Sequence, residues 1–372
     1  MEQFTRDHTK MIKGIAVILM FMHHLWAFPD RFAVDLQPRL SGIMVHGTDL
    51  FRAAGQFGQI CVPVFMFLGG YGLWQKMQKE YSLGKDIWRL YVMLWKVAVI
   101  FIPVGLLFFR NQGDYAADTV ICHVFEDRSI GNVINHFLGL STSYNREWWF
   151  FLSFISAMIL GYVFICMDKT IRFWNSAMLV ICIWIVSQRL LPAVCEVQAF
   201  SRLGSDFFFR QFFCFHPSVC VFFEGIVFAK YNAVSRLGEF YKEVFRSRAG
   251  RLIVSGIGMG VIFWSRTFSM GADFDLIYVP FFMLFCMEFV KAAGFLENIL
   301  LVLGKYSADM WLIHGFYCYY FYAVTKIVCW TGNAIVDLFT LLALSFASAV
   351  AVNELYVFIA KNYKKRIIKR HV

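Results

Sequence analysis

Residues 13–24 read KGIAVILMFMHH, a run that is apolar except at its two ends. Lys13 and His24 stand eleven residues apart in it. At about 100° per residue this spacing is about three helical turns, so both side chains face one way, roughly 16 Å apart along the axis. A cation near one face of a bilayer and an imidazole deep in the apolar layer are costly to keep there. Both are therefore functional candidates. His23 points about 100° away from His24 and is read as its supporting partner.

The rest of the chain places that run in a membrane. Of 372 residues, 59% are hydrophobic, 19% aromatic and only 16% charged, with 43 Phe and 11 Trp. A soluble domain carries about a quarter charged residues. The composition defines an all-α, polytopic membrane protein. No polar segment reaches the size of a domain, so residues 1–372 are read as one integral-membrane unit without a soluble appendage. The first apolar run ends in HHLWAFPD without a small-x-small cleavage pattern, so it is read as an uncleaved signal-anchor.

Spanning segments are expected near 11–28, 56–74, 90–109, 148–166, 173–188, 211–229, 252–265, 274–290, 307–325 and 335–358, with 252–265 the short one. With ten spans and both termini cytoplasmic, Lys and Arg favour the inner segments by about two to one, the positive-inside bias. The net charge of +10 thus reports topology, not nucleic-acid binding, and the tail KNYKKRIIKR anchors at the anionic lipid of the inner leaflet. The external segment 110–147 is too apolar for a free loop and is expected to fold onto or into the membrane face. Ten Cys lie mostly inside apolar runs, with no CxxC pair and no zinc-finger His, and read as small buried residues. No metal and no permanently bound cofactor is expected.

His24 suits a general base, since its ordinary pKa lies near the operating pH. Lys13, Lys10, Lys85 and Arg89, with Lys76 and Lys79, make a basic cytosolic mouth that attracts a polyphosphate. A coenzyme A thioester has the matching shape: a phosphorylated head near Lys13 and a thin arm reaching toward His24. Glu224, Glu288 and Asp309 are intramembrane carboxylates, one of which is a candidate to orient the imidazole. Glu288 and Asp309 are expected to pair instead with nearby Lys or Arg.

The opening run resembles the first motif of the membrane acyltransferase-3 family, in which a basic residue and a His are separated by ten residues. Lys13 takes the position usual for Arg and lacks its planar fork. VPVFMFLGGYGL (62–73), EWWFFLSFISA (147–157), HPSVCVFFEGIVFAK (216–230) and GKYSADMWLIHGF (304–316) resemble later family segments, in the same order. The resemblance implies transfer of an acetyl or other short acyl group from cytosolic acyl-CoA, acting as co-substrate. The expected acceptor is a hydroxyl of an envelope carbohydrate or a glycolipid precursor, and the expected location a bacterial plasma membrane. It places the catalytic His on His24, with His23 beside it, the donor-side cation on Lys13, and the family's late His on His314. Glu147, Trp148 and Trp149 are expected to bind the acceptor. The indole N–H of either Trp, or His314, is expected to meet the oxyanion. Whether the acyl group passes directly or through an acyl-imidazole is open at this point. A transporter or flippase of a glycolipid or small metabolite is the alternative from another class, since buried ionisable groups suit it as well. A non-catalytic sensor would have no use for a buried His24.

Overall fold

The computed structural model describes residues 4–109, 123–167, 173–197 and 218–368. The architecture is all-α, apart from a two-stranded hairpin, Met44–Val45 with Thr48–Asp49. Residues 110–122 of the external segment and 211–217 of the sixth expected span lie outside the described residues, as do Cys122 and Cys214.

α1 (Arg6–Trp26) starts at a capping box, with the Thr5 hydroxyl accepting from the His8 N–H and the His8 ring accepting from the Thr5 N–H. It is the centre of the bundle: Ile12, Ala16, Val17, Phe21 and Leu25 are all fully buried. Protein rather than lipid surrounds it, so it tolerates Lys13 and two His.

α2 (Leu50–Gly58) and α3 (Cys61–Met77) divide the span expected over 56–74. Pro63 explains the break, because it has no N–H and crowds the preceding turn. The chain bridges it with Val62 N–H to the Gln59 carbonyl. α2 lies against the end of α1, where an added Cβ on Gly55 would stand 2.5 Å from the Ala27 nitrogen.

α4 (Leu83–Phe108) is followed by α5 (Ile130–Phe137), a short amphipathic helix. Trp95 and Tyr91 of α4 donate to the carbonyls of Phe137 and Leu138. Segment 123–147 is therefore tied back onto the bundle. α6 (Trp149–Met167), α7 (Phe173–Ile185) and the short α8 (Leu191–Glu196) come next, then α9 (Val219–Lys230). Gly70 of α3 and Gly225 of α9 each sit on a carbonyl of the other helix, Phe222 and Phe67 respectively. α10 (Ala233–Val244) is a further helix that the apolar pattern did not show.

α11 (Arg248–Phe268) runs 21 residues, against the short 252–265 expected. Its polar ends are satisfied by Arg251–Glu288 at 2.9 Å and Arg266–Asp275 at 2.8 Å, both to α12 (Asp275–Ala292). α13 (Phe295–Gly315) corrects the expected 307–325: the helix begins twelve residues earlier, after Gly294. It then passes into a π turn, Phe316–Tyr320, and α14 (Tyr322–Val328). α15 (Ala334–Ile368) closes the chain. Lys96 of α4 meets Asp309 of α13 at 3.1 Å, and Asn353 of α15 donates to the same carboxylate at 2.6 Å. This trio satisfies two charges that would otherwise be buried alone.

Among the described residues four stretches are long and apolar enough to cross a membrane: Leu50–Met77, Leu83–Phe108, Arg146–Met167 and Ala334–Asn362. The remaining long helices carry more polar side chains and pack among them.

The contact that positions the site is α1 on α13. A Cβ added to Gly304 would overlap the Lys10 carbonyl, and one added to Gly14 would stand 2.5 Å from the Leu300 oxygen. Glycine at both positions lets the backbones touch. The same pair of helices brings the His314 ring beside those of Phe21, at 5.2 Å, and of His24, at 4.7 Å, less than one turn further along α1.

Candidate active site

His24 sits at the end of α1 with its side chain 14% exposed. It is neither sealed among lipid-facing groups nor open to bulk solvent. Its ring lies 4.7 Å from that of His314 and 5.1 Å from that of His23, centre to centre. The Nδ1 of His23 is bonded to the Gly55 carbonyl at 2.8 Å, so His23 holds α2 to α1.

Two consecutive tyrosines define the next layer. The Tyr319 hydroxyl donates to the His24 carbonyl at 2.5 Å and lies 3.5 Å from His24 Nδ1. Its single proton is committed to the carbonyl, so toward the ring it acts as an acceptor. Nδ1 then carries the ring hydrogen and Nε2 holds the free lone pair. Tyr320 donates to Glu147 Oε2 at 2.6 Å. The other carboxylate oxygen, Oε1, is 4.0 Å from His24 Nδ1 and 3.8 Å from Arg31 Nη1. On a regular helix, adjacent residues point 100° apart. The wider π turn aims both at one cluster, a use typical of such turns.

Glu147 is delivered by a 3₁₀ turn, Arg146–Trp148, capped by the Asn145 side chain, which accepts from the Glu147 N–H at 3.2 Å. The π turn also frees a carbonyl. Phe316 N–H turns to Ile313 and His314, and Leu312 O accepts from Trp148 Nε1 at 2.9 Å and from Asn145 Nδ2 at 3.4 Å. Trp311 Nε1 returns the link to the Glu147 carbonyl at 3.2 Å. Gly315 leaves the room: a Cβ there would stand 2.8 Å from Asn145 Oδ1 and 3.0 Å from Glu147 Oε2.

The sequence-derived residues are distributed as follows. His24, His23, His314 and Glu147 come together. Glu147 is the carboxylate that faces the imidazole. None of Glu224, Glu288 and Asp309 does so: Glu288 and Asp309 have their own cations, and Glu224 is buried on α9. Trp148 has its N–H committed to Leu312, which removes it as an oxyanion donor. Trp149 is half-buried beside Phe150.

At the far end of α1, half-buried Lys13 makes no ion pair or hydrogen bond among the described residues and feels the charge of Lys76. Lys10 is exposed and paired with Asp7 at 2.7 Å. Arg89 and Lys76 both pair with buried Asp86, at 2.8 and 2.7 Å, while Lys85 is exposed. Tyr319, Tyr320 and Arg31 were missed by sequence reasoning. The tyrosines lie in an aromatic run, YCYYFY (317–322), that resembles ordinary core, and Arg31 reads as a loop cation. Among the described residues no group of three or more His, Cys, Asp or Glu is placed to hold a metal.

A helical bundle with apolar helices of membrane-spanning length, carrying a partly accessible imidazole flanked by a carboxylate and two phenols, marks an integral membrane protein. Its family is equally definite. The acyltransferase-3 family model, described as an acyltransferase domain, matches residues 10–354, and the chain belongs to that family. No curated protein and no solved structure matches it.

Proposed function

We propose that this acyltransferase moves an acetyl or other short acyl group from acyl-CoA to a hydroxyl of an envelope carbohydrate or its lipid-linked precursor. The reading includes ten spans, both termini cytoplasmic, in a bacterial plasma membrane. The observation that carries it is the His24 ring: Nδ1 faces Tyr319 and Glu147, and Nε2 has no hydrogen bond among the described residues.

The chemistry follows from that polarity. His24 Nε2 takes the proton of the acceptor hydroxyl as its oxygen bonds to the thioester carbonyl carbon. The carbon–sulfur bond then breaks, and the same proton passes to the leaving thiolate. While His24 is an imidazolium, Glu147 lies on its Nδ1 side and opposes the positive charge. A separation of 4.0 Å is beyond a hydrogen bond. Such contacts commonly tighten when substrate binds. Tyr320 and Arg31 keep the carboxylate in place, and Arg31 is stacked over Phe28 at 4.1 Å. At the other end Lys13, which has no ion pair among the described residues, supplies a cation for the coenzyme A phosphates.

The test is transfer of label from acetyl-CoA to an envelope fraction by membranes containing the protein. His24→Ala is expected to abolish transfer and CoA release while the protein still accumulates. Undiminished transfer by that variant would remove His24 as the base.

A further inference from the structure

We infer that His314 is an acceptor-binding residue whose Nε2 receives a hydrogen bond from a second hydroxyl of the substrate, beside His24. The inference rests on the acyltransferase reading and specifies the acceptor as a polyol.

His314 is fully buried, and its Nδ1 is bonded to the Trp311 carbonyl at 2.6 Å, with the Met310 carbonyl also in reach. Carbonyl oxygens only accept, so Nδ1 carries the ring hydrogen. The neutral ring therefore presents a bare lone pair at Nε2. That atom is buried and has no hydrogen-bond partner among the described residues. Phe21 covers one face of the ring, stacked at 5.2 Å, and His24 lies 4.7 Å away, tilted by 49°. A buried acceptor left unmatched is costly, and such an orphan in a site marks the place of a missing donor.

The species present in the reaction differ in what they offer that lone pair. The thioester carbonyl and the tetrahedral oxyanion are acceptors and are repelled by it. This overturns the expectation that His314 donates to the oxyanion. The acceptor substrate brings O–H donors. His24 Nε2 takes the proton of the attacking hydroxyl, so the His314 lone pair meets a neighbouring one. Two adjacent basic nitrogens of fixed tautomer thus favour an alcohol with two hydroxyls close together over an isolated one. No bond is made or broken at His314, and the proton balance of the transfer is unchanged.

The experiment uses the full chain in nanodiscs. Nitrogen NMR of ¹⁵N-histidine-labelled protein, assigned with His314→Asn, is expected to show His314 protonated at Nδ1 and bare at Nε2. Kinetics with labelled acetyl-CoA and the envelope glycan fraction are expected to show His314→Phe raising the apparent acceptor KM about tenfold. The acetyl-CoA KM and the pH profile should stay in place. His314→Gln, whose amide oxygen accepts, should recover part of the loss. Thermal unfolding of both variants checks that the bundle is intact. An Nε2–H tautomer, an unchanged acceptor KM in His314→Phe, or a rise confined to the acetyl-CoA KM would overturn the assignment. A wild-type protein that releases no CoA overturns the acyltransferase reading itself, and the NMR result distinguishes the two failures.

Discussion

Tyr320 holds Glu147 by a 2.6 Å hydrogen bond to one carboxylate oxygen while the other faces His24 at 4.0 Å, so the carboxylate is fixed from behind and acts forward. Glu147→Gln keeps an oxygen for Tyr320 and loses the charge. Its kcat is expected to fall by about 10²–10³, within the usual range for a proton-transfer group, with little change in the acetyl-CoA KM. Tyr320→Phe, which frees the carboxylate without discharging it, should cost about tenfold. Wild-type kcat in Glu147→Gln would show that the carboxylate is only structural.

Gly315→Ala tests the same carboxylate from the backbone side. The added methyl would press on Asn145 Oδ1 and Glu147 Oε2, both buried and hydrogen-bonded. Since Asn145 and Glu147 share one short turn, both must shift. Acetyl transfer is expected to drop by at least tenfold with protein yield maintained.

Gly304→Leu attacks the α1–α13 contact. Overpacking a tight interface costs about 1–3 kcal/mol. The variant is expected to melt lower in detergent and to lose activity, because His24 and His314 separate. Gly84→Ala, where the new methyl meets nothing within 4 Å, serves as the control and should behave as wild type. Equal melting of the two variants would contradict the packing described.

Lys13→Ala is expected to raise the acetyl-CoA KM about tenfold, and Lys13→Arg to restore it. Lys10→Ala should change little, because Lys10 is exposed and already paired with Asp7. Such exposed pairs contribute little. A rise in acceptor KM instead would move Lys13 away from the donor.

His136 gives a pH dependence independent of His24. Burial lowers its pKa from 6.5 to about 4, against the opposing Asn132 carbonyl and Asp127. Its Nδ1 donates to Asn132 O at 2.8 Å, and its Nε2 accepts from Tyr144 N–H at 2.9 Å, so the folded ring is neutral. The unfolded segment binds the proton more readily, and stability therefore rises with pH. The contribution is complete above about pH 6.5 and declines as pH falls toward 4. Protection factors of residues 130–147, which correct exchange rates for their intrinsic pH dependence, should fall as pH is lowered through that window, and His136→Gln should flatten the change. Protection factors that do not vary with pH would exclude the mechanism.

The sequence carried the bundle and the central residue of the site. KGIAVILMFMHH reads as a helix with Lys13 and His24 on one side, and both apolar length and ordered motifs placed His314 on a late helix. What it hid is long-range. Glu147 meets His24 only because Asn145 and Trp148 clamp onto the Leu312 carbonyl that the π turn releases, and no local pattern announces a π turn. The start of α13 was misplaced because ENILLVLGK mixes polar and apolar residues. Its Asn298 and Lys305 are exposed and its Gly304 faces α1, so a reading that seeks an unbroken apolar run discards it. Tyr319 and Tyr320 were hidden by their company, since aromatic runs in a chain with 43 Phe carry no distinguishing signal.

Backbone-to-backbone seating of Gly14 and Gly304 makes the first and thirteenth helices a single stiff strut. Both imidazoles ride on it. Whatever breathing admits substrates must then occur in the surrounding helices, with the pair of rings carried as a fixed unit and never drawn apart.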